Sequence, residues 1–151
     1  MYLKGKEKHF WRNHFNIGSL SQIPAEIKNF RSIDSEVDDA FLFFLTSRIA
    51  NITELYFKFT LITDLGVQHI SSIQNLRKLT LREHKNITNE SIPYLNKLVD
   101  LEYLDILKTE IQLEDGPGLF NLRNLKELYI TSDNLDEEYH LEHIIAIKKI
   151  L

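Results

Sequence analysis

A short motif that recurs at a nearly constant spacing constrains the fold of this chain more than any other feature. The motif has apolar residues at its first, fourth and sixth positions. It occurs at Ile52–Phe57, Leu76–Leu81, Leu101–Ile106 and Leu125–Ile130. Successive starts are 24, 25 and 24 residues apart, and a weaker copy begins 25 residues earlier at Ile27. Periods of about 20 to 50 residues are typical of architectures in which each unit packs against its neighbours. We therefore predict about five stacked units.

The second half of most units predicts a short helix. Val67, Ile70 and Ile73 are three positions apart, a spacing that places apolar side chains on one side of a helix. Oxygen-bearing residues that can cap the first turn precede three such segments, and these expected N-caps are Asp38, Thr63 and Thr88. The unit that starts at Leu101 contains Gly116-Pro117-Gly118 instead. That tripeptide predicts a turn or 3₁₀ segment.

These motifs resemble the leucine-rich-repeat family, whose strands follow L-x-x-L-x-L. Ile62–Val67 is similar to the I-T-D-x-G-L variant with helical backs, and Ile23–Ile27 is similar to the I-P-x-x-I step that precedes many repeat strands. The resemblance implies an α/β fold: a right-handed solenoid shaped as a short horseshoe, with a parallel concave sheet and a mostly helical convex side. The family pattern has asparagine or cysteine three residues after the last apolar strand position. This sequence has Thr60, His84, Thr109 and Asp133 there, which leaves the loop geometry open.

The predicted organisation is an N-terminal cap over residues 1–26 and repeats over residues 27–151, with units starting near 27, 52, 76, 101 and 125. Phe10 and Trp11 are expected to cover the open end of the core. The basic and aromatic stretch 8–12 could instead bind nucleic acid. Because no continuous basic stripe accompanies it, we expect no nucleic-acid partner. A last helix is expected over 136–149, and the last unit offers a possible end-to-end contact.

Composition and apolar run lengths indicate the cellular compartment and exclude some kinds of catalytic site. The 151 residues contain no cysteine, which excludes a thiol nucleophile and cysteine-based zinc sites and favours the cytoplasm. The longest apolar run, residues 40–45, is far shorter than the ~20 residues of a membrane span. Residues 1–13 are basic but lack the apolar stretch of a signal peptide. We therefore expect a cytoplasmic protein with no membrane partner.

The strand residues between the apolar positions are expected to point outward onto the concave sheet. Several of them are tyrosines and cations, and one is a leucine, a combination typical of protein-interface centres. The alternative is a solvated sheet that simply tolerates these residues. The predicted partner-binding residues are Tyr56, Lys58, Lys78, Arg82, Tyr103, Asp105, Leu107 and Tyr129.

Enzymatic alternatives have weaker support in the sequence. His140 and His143 are three apart in the predicted last helix and could hold a metal if Glu137 joined them, but a solvated helix face also explains them. The patterns of serine hydrolases, phosphate loops and zinc proteases do not occur. We therefore predict a non-catalytic protein-binding module with no cofactor and no metal. One alternative is an inhibitor or immunity-type protein that neutralises a toxin or enzyme, suggested by the small size and acidic C-terminal third. A more remote alternative is a metal-dependent hydrolase.

Overall fold

The computed structural model describes residues 2–132 and 137–141. Within them the chain is an α/β protein with one sheet of six strands in the order β1 to β6. The strands are β1 Glu26–Ile33, β2 Asn51–Lys58, β3 Lys78–Arg82, β4 Tyr103–Asp105, β5 Glu127–Ser132 and β6 Glu137–Leu141. The α-helices are α1 Gly5–Phe15, α2 Asp39–Arg48, α3 Asp64–Ile70 and α4 Ile92–Leu95. The 3₁₀ segments are Leu20–Gln22, Asn89–Ser91 and Leu113–Leu119. None of the described helices combines the length and apolar character needed to cross a membrane.

The strand register brings equivalent motif positions together. Strands β1 to β5 are parallel. Leu55 pairs with Leu79, Leu79 with Leu104, and Leu104 with Leu128, and all four are buried. Side chains alternate between the two faces along a strand, so this leucine row shows which positions of each strand point into the core and which point to the opposite face. The predicted inward direction of these leucines is confirmed.

The three predicted N-caps are confirmed. Asp38 Oδ1 accepts from the amide of Phe41 at 3.0 Å. Thr63 and Thr88 accept from the amides two residues later, at 3.3 and 3.2 Å. The 3₁₀ segment expected near Pro117 is also observed, at Leu113–Leu119.

Aspartates in the first turns of α2 and α3 connect each helix to the next one. Asp39 accepts from the Thr63 amide at 2.8 Å and from its hydroxyl at 2.6 Å. Asp64 accepts in the same way from Thr88, at 2.8 and 2.7 Å. The residue that caps α3, or the 3₁₀ segment Asn89–Ser91 before α4, is thus held by a carboxylate of the preceding helix, which fixes the spacing of the helical layer.

The N-terminal helix packs on the first helix of the layer. Trp11 is fully buried, and the ring of Phe10 meets the ring of Phe41 edge-on with centroids 4.9 Å apart. At the surface, Arg48 of α2 donates to Glu7 of α1 at 2.7 Å. Apolar and charged contacts therefore both hold α1 against α2.

The predicted last helix is wrong for residues 137–141, which form β6. This strand runs antiparallel to β5, with His140 opposite Tyr129. An edge strand leaves a row of unpaired backbone groups, and β6 supplies their hydrogen-bond partners. The sequence predicted a possible end-to-end contact at the last unit. The free edge of β5 in that unit is instead occupied by β6 of the same chain. Residue 136 and residues 142–149 of the predicted helix lie outside the described residues.

A residue with left-handed backbone follows each of the first four strands. This residue defines the loop geometry that the replacement of the family's asparagine or cysteine had left open. Asp34, Phe59, Glu83 and Lys108 have φ values of 49°, 52°, 63° and 57°. Each stands two positions after the last residue of the six-residue motif of its unit, which is apolar in three units and is Ser32 in the first. The amides of Asp34, Phe59 and Glu83 donate to a carbonyl of the next unit at 3.1, 3.1 and 2.9 Å. A bond to the neighbouring unit thus accompanies the left-handed turn at each of these three residues.

Candidate functional site

The predicted partner-binding tyrosines lie on the side of the sheet opposite the leucine row. Tyr56 pairs with Thr80, Thr80 with Asp105, and Asp105 with Tyr129. Tyr103 lies two residues before Asp105 and therefore shares its face. We call the surface formed by Tyr56, Tyr103 and Tyr129 the tyrosine face.

Aromatic contacts organise the tyrosine face. The rings of Tyr103 and Tyr129 are tilted against each other with centroids 5.4 Å apart. The guanidinium carbon of Arg31 lies 4.1 Å from the ring centroid of Tyr56, a cation–π contact. The prediction did not include Arg31, although it is paired with Tyr56 across β1 and β2. These contacts hold the three half-buried rings in place.

A cavity of about 350 Å³ opens on the tyrosine face. Tyr56 of β2 and Tyr103 of β4 both line it, with Thr80 of the intervening β3. Thr80 is small and buried, so the surface is recessed between larger neighbours. The charged residues that line the cavity are Glu54, Lys78, Glu102, Lys126 and Glu127. The arrangement can accept a side chain from another molecule between aromatic groups.

The predicted cations of this surface are all paired with acids of this chain. The pairs are Lys58 with Glu83 at 3.7 Å, Lys78 with Glu54 at 3.7 Å, and Arg82 with Asp105 at 2.8 Å. At the cavity rim, Glu102 accepts from Lys126 at 2.7 Å and also from Arg77. These hydrogen bonds lower the pKa of the Glu102 carboxyl. The surface is thus charged but locally neutralised.

The exposure expected for two of the predicted partner-binding residues is wrong, because both are buried. Asp105 is 2% exposed, since its carboxylate binds the Arg82 side chain and accepts from the Leu107 amide at 3.1 Å. Leu107 is also 2% exposed. Strand β4 ends at Asp105, so the alternation that predicted an outward Leu107 does not extend to it. The Leu107 carbonyl instead accepts from the Glu83 amide at 2.9 Å. Both residues support the surface and do not contact solvent.

The Tyr103 hydroxyl keeps its proton at neutral pH. Burial raises the pKa of Tyr103 to about 12, and the Asp105 carboxylate and the Tyr129 phenol act in the same direction. A protonated phenol can both donate and accept a hydrogen bond. Tyr103 therefore offers a polar group at the end of an apolar ring.

The metal alternative falls only partly within the described residues. Its His143 is not among them, and Glu137 and His140 belong to strand β6, where the alternative required a helix. Within residues 2–132, no three histidine, cysteine, aspartate or glutamate side chains are grouped so that they could hold a metal ion.

The tyrosine face thus combines aromatic rings, a phenolic hydroxyl, a recessed cavity and paired charges. Such groups suit binding by burial and hydrogen bonding. Comparison with protein-family models and with curated proteins gives no match for this chain.

Proposed function

We propose that this chain is a leucine-rich-repeat solenoid that binds a partner protein through the tyrosine face and has no catalytic role. The observation that carries the proposal is the Tyr103–Tyr129 ring pair beside a cavity also lined by Tyr56. Tyrosines near the middle of an interface commonly contribute a large part of the binding energy. The cytoplasm, favoured by the cysteine-free composition, stays the proposed compartment.

Contacts between equivalent positions support the solenoid part of the proposal. Besides the aspartate–threonine bonds of the helical layer, Asn75 donates to the Asn51 side chain at 2.8 Å, across 24 residues. Asn124 donates to the Val99 carbonyl at 3.1 Å, across 25 residues. Bonds at this separation are expected when each unit packs mainly on the next one. Handedness and curvature follow from the family resemblance alone.

The experiment compares the double variant Tyr103→Ala, Tyr129→Ala with the parent chain. A partner captured from the native source is purified, and its affinity for each form is measured by biolayer interferometry. Two truncations that each cost about 1 kcal/mol weaken binding by at least ~30-fold. If the captured partner is an enzyme or toxin, its activity in the complex tests the inhibitor interpretation directly.

The matched control is Lys97→Glu, an exposed charge reversal just after α4 on the helical side. It is expected to leave affinity almost unchanged, and circular dichroism checks that all forms are folded. Loss of binding in the control together with full binding in the double tyrosine variant would place the site on the helical side instead.

A further inference from the structure

A second recessed surface lies beyond the ends of β1, β2 and β3. It is a cleft of about 670 Å³ lined by two exposed apolar side chains, Phe59 and Leu61. Their exposed fractions are 61% and 60%. Neither residue belongs to the tyrosine face or to the predicted partner-binding set. Phe59, Leu61 and the charged residues that flank them, Asp34, Glu36 and Lys85, are called the Phe59 cleft below.

Phe59 and Leu61 replace charged or polar residues of the other units. The positions equivalent to Phe59 carry Asp34, Glu83, Lys108 and Ser132, and those equivalent to Leu61 carry Glu36, Lys85, Glu110 and Asn134. Only the unit that contains β2 therefore places two large apolar side chains at these loop positions.

Folding stability does not explain Phe59. Its φ of 52° is in the left-handed region, which is unfavourable for a bulky side chain and is better tolerated by asparagine or glycine. Its ring is also mostly in contact with water, so little apolar burial compensates for the backbone strain. Strained, exposed aromatic residues of this kind point to a binding role.

The backbone beneath the two side chains is fixed on both sides. The Phe59 amide donates to the Arg82 carbonyl at 3.1 Å, and the Leu61 amide donates to the Val37 carbonyl at 2.8 Å. Between them, the Thr60 hydroxyl is hydrogen-bonded to Nε2 of buried His84 at 2.8 Å. The backbone at Phe59 and Leu61 is thus held in place before any partner arrives, which lowers the entropic cost of binding.

The charges around the apolar centre are segregated. Asp34 and Glu36 come from the β1 end of the cleft, and both are exposed. Exposed Lys85 comes from the β3 end, where Glu83 is already shared by Lys58 and Lys108 at 3.7 and 3.9 Å. A complementary ligand therefore needs an apolar group between a positive and a negative charge.

We propose that the Phe59 cleft binds a segment of a partner protein in which a large apolar side chain stands between a basic and an acidic residue. The apolar side chain packs on Phe59 and Leu61. The basic residue faces Asp34 and Glu36, and the acidic residue faces Lys85. This site is separate from the tyrosine face and does not depend on the function proposed for that face.

The test titrates the ¹⁵N-labelled full chain with short blocked peptides and follows amide shifts by NMR. The first probe is the pentapeptide Lys-Gly-Phe-Gly-Glu, and the matched probe is Ser-Gly-Phe-Gly-Ser. The charged probe is expected to produce saturable shifts at residues 34–36, 59–62 and 83–86. Two exposed charge pairs correspond to an affinity at least about threefold higher than that of the uncharged probe.

Two variants of the chain complete the experiment. Phe59→Asn is expected to abolish the saturable shifts while the thermal midpoint stays equal or rises, because asparagine accepts the left-handed backbone more readily. Phe120→Asn removes another 61% exposed phenylalanine that does not line the cleft, and it should bind as the parent does. Equal affinity for the two probes, or unchanged shifts in Phe59→Asn, would overturn the proposal.

Discussion

Substitution of Gly66 in α3 is expected to destabilise the chain, because α2 and α3 approach each other closely at this residue. A Cβ at this position would collide with Asp39 Oδ1 and would lie 2.7 Å from Ile62 Cγ2 and 3.0 Å from Leu42 Cδ1. In an open helix, Gly→Ala stabilises by about 1 kcal/mol. Here overpacking costs about 1–3 kcal/mol, and moving Asp39 weakens its two bonds to Thr63, each worth about 1.5–3 kcal/mol because the acceptor is charged. The cost exceeds the gain, and we expect Gly66→Ala to destabilise the chain by about 2 kcal/mol.

Thermal and urea unfolding measure this effect. A loss of about 2 kcal/mol corresponds to a midpoint about 4–8 °C lower for a domain of this size. The matched control is Gly18→Ala, whose nearest neighbour would be Gln22 Oε1 at an ordinary 3.7 Å, and it should be neutral or slightly stabilising. In an Asp39→Ala background the closest atom is gone, so Gly66→Ala should cost at least ~1 kcal/mol less than in the parent. An equal cost in both backgrounds, or a rise in the midpoint of the single variant, would refute the close approach of the helices.

Two further perturbations probe the core and the strand ends. Leu79→Ala and Leu104→Ala each remove a fully buried side chain from the leucine row and should cost about 2–5 kcal/mol in urea unfolding; unchanged midpoints would contradict the observed register. Burial lowers the pKa of His84 below its ordinary 6.5, so the unfolded chain takes up this proton first as the pH falls. The stability contributed by neutral His84 is therefore complete above pH 6.5 and is lost as the pH falls toward the lowered folded value, with a slope of at most about 1.4 kcal/mol per pH unit. Urea titrations between pH 5 and 8 should show a smaller slope for His84→Gln than for the parent, and identical slopes would exclude His84 as the titrating group.

Periodicity predicted the parts of the fold that depend on burial. Apolar spacing located the inward side of β2 to β5, because a shift of one residue would turn every leucine of the row to solvent. Capping chemistry located the helix starts at Asp38, Thr63 and Thr88, since a side-chain oxygen before an apolar run has a specific partner in the first turn. Both signals are local, and both are present in the sequence.

Errors in the prediction arose where neighbouring chain segments decide the structure. Alternation assigned Leu107 to the surface, but the length of β4 depends on its pairing with β3 and β5, and the strand ends at Asp105. The apolar spacing that starts at Leu141 predicted a helix, but the open edge of β5 determines the outcome for residues 137–141. The Phe59 cleft could have been found by comparing loop positions among units, because apolar residues replace charged or polar ones in one unit only.

The two proposed surfaces use charge differently. On the tyrosine face, Lys58, Lys78 and Arg82 each lie within 4 Å of an acid of the same chain, so little net charge is available to attract a partner from a distance. Binding there must come mainly from burial of the tyrosine rings, which salt hardly affects. In the Phe59 cleft, the exposed acids of the β1 end and the exposed lysine of the β3 end face solvent, and their attraction to a ligand is screened over about 10 Å at 0.1 M salt. Ionic strength should therefore separate the two modes of binding even when one partner contacts both surfaces.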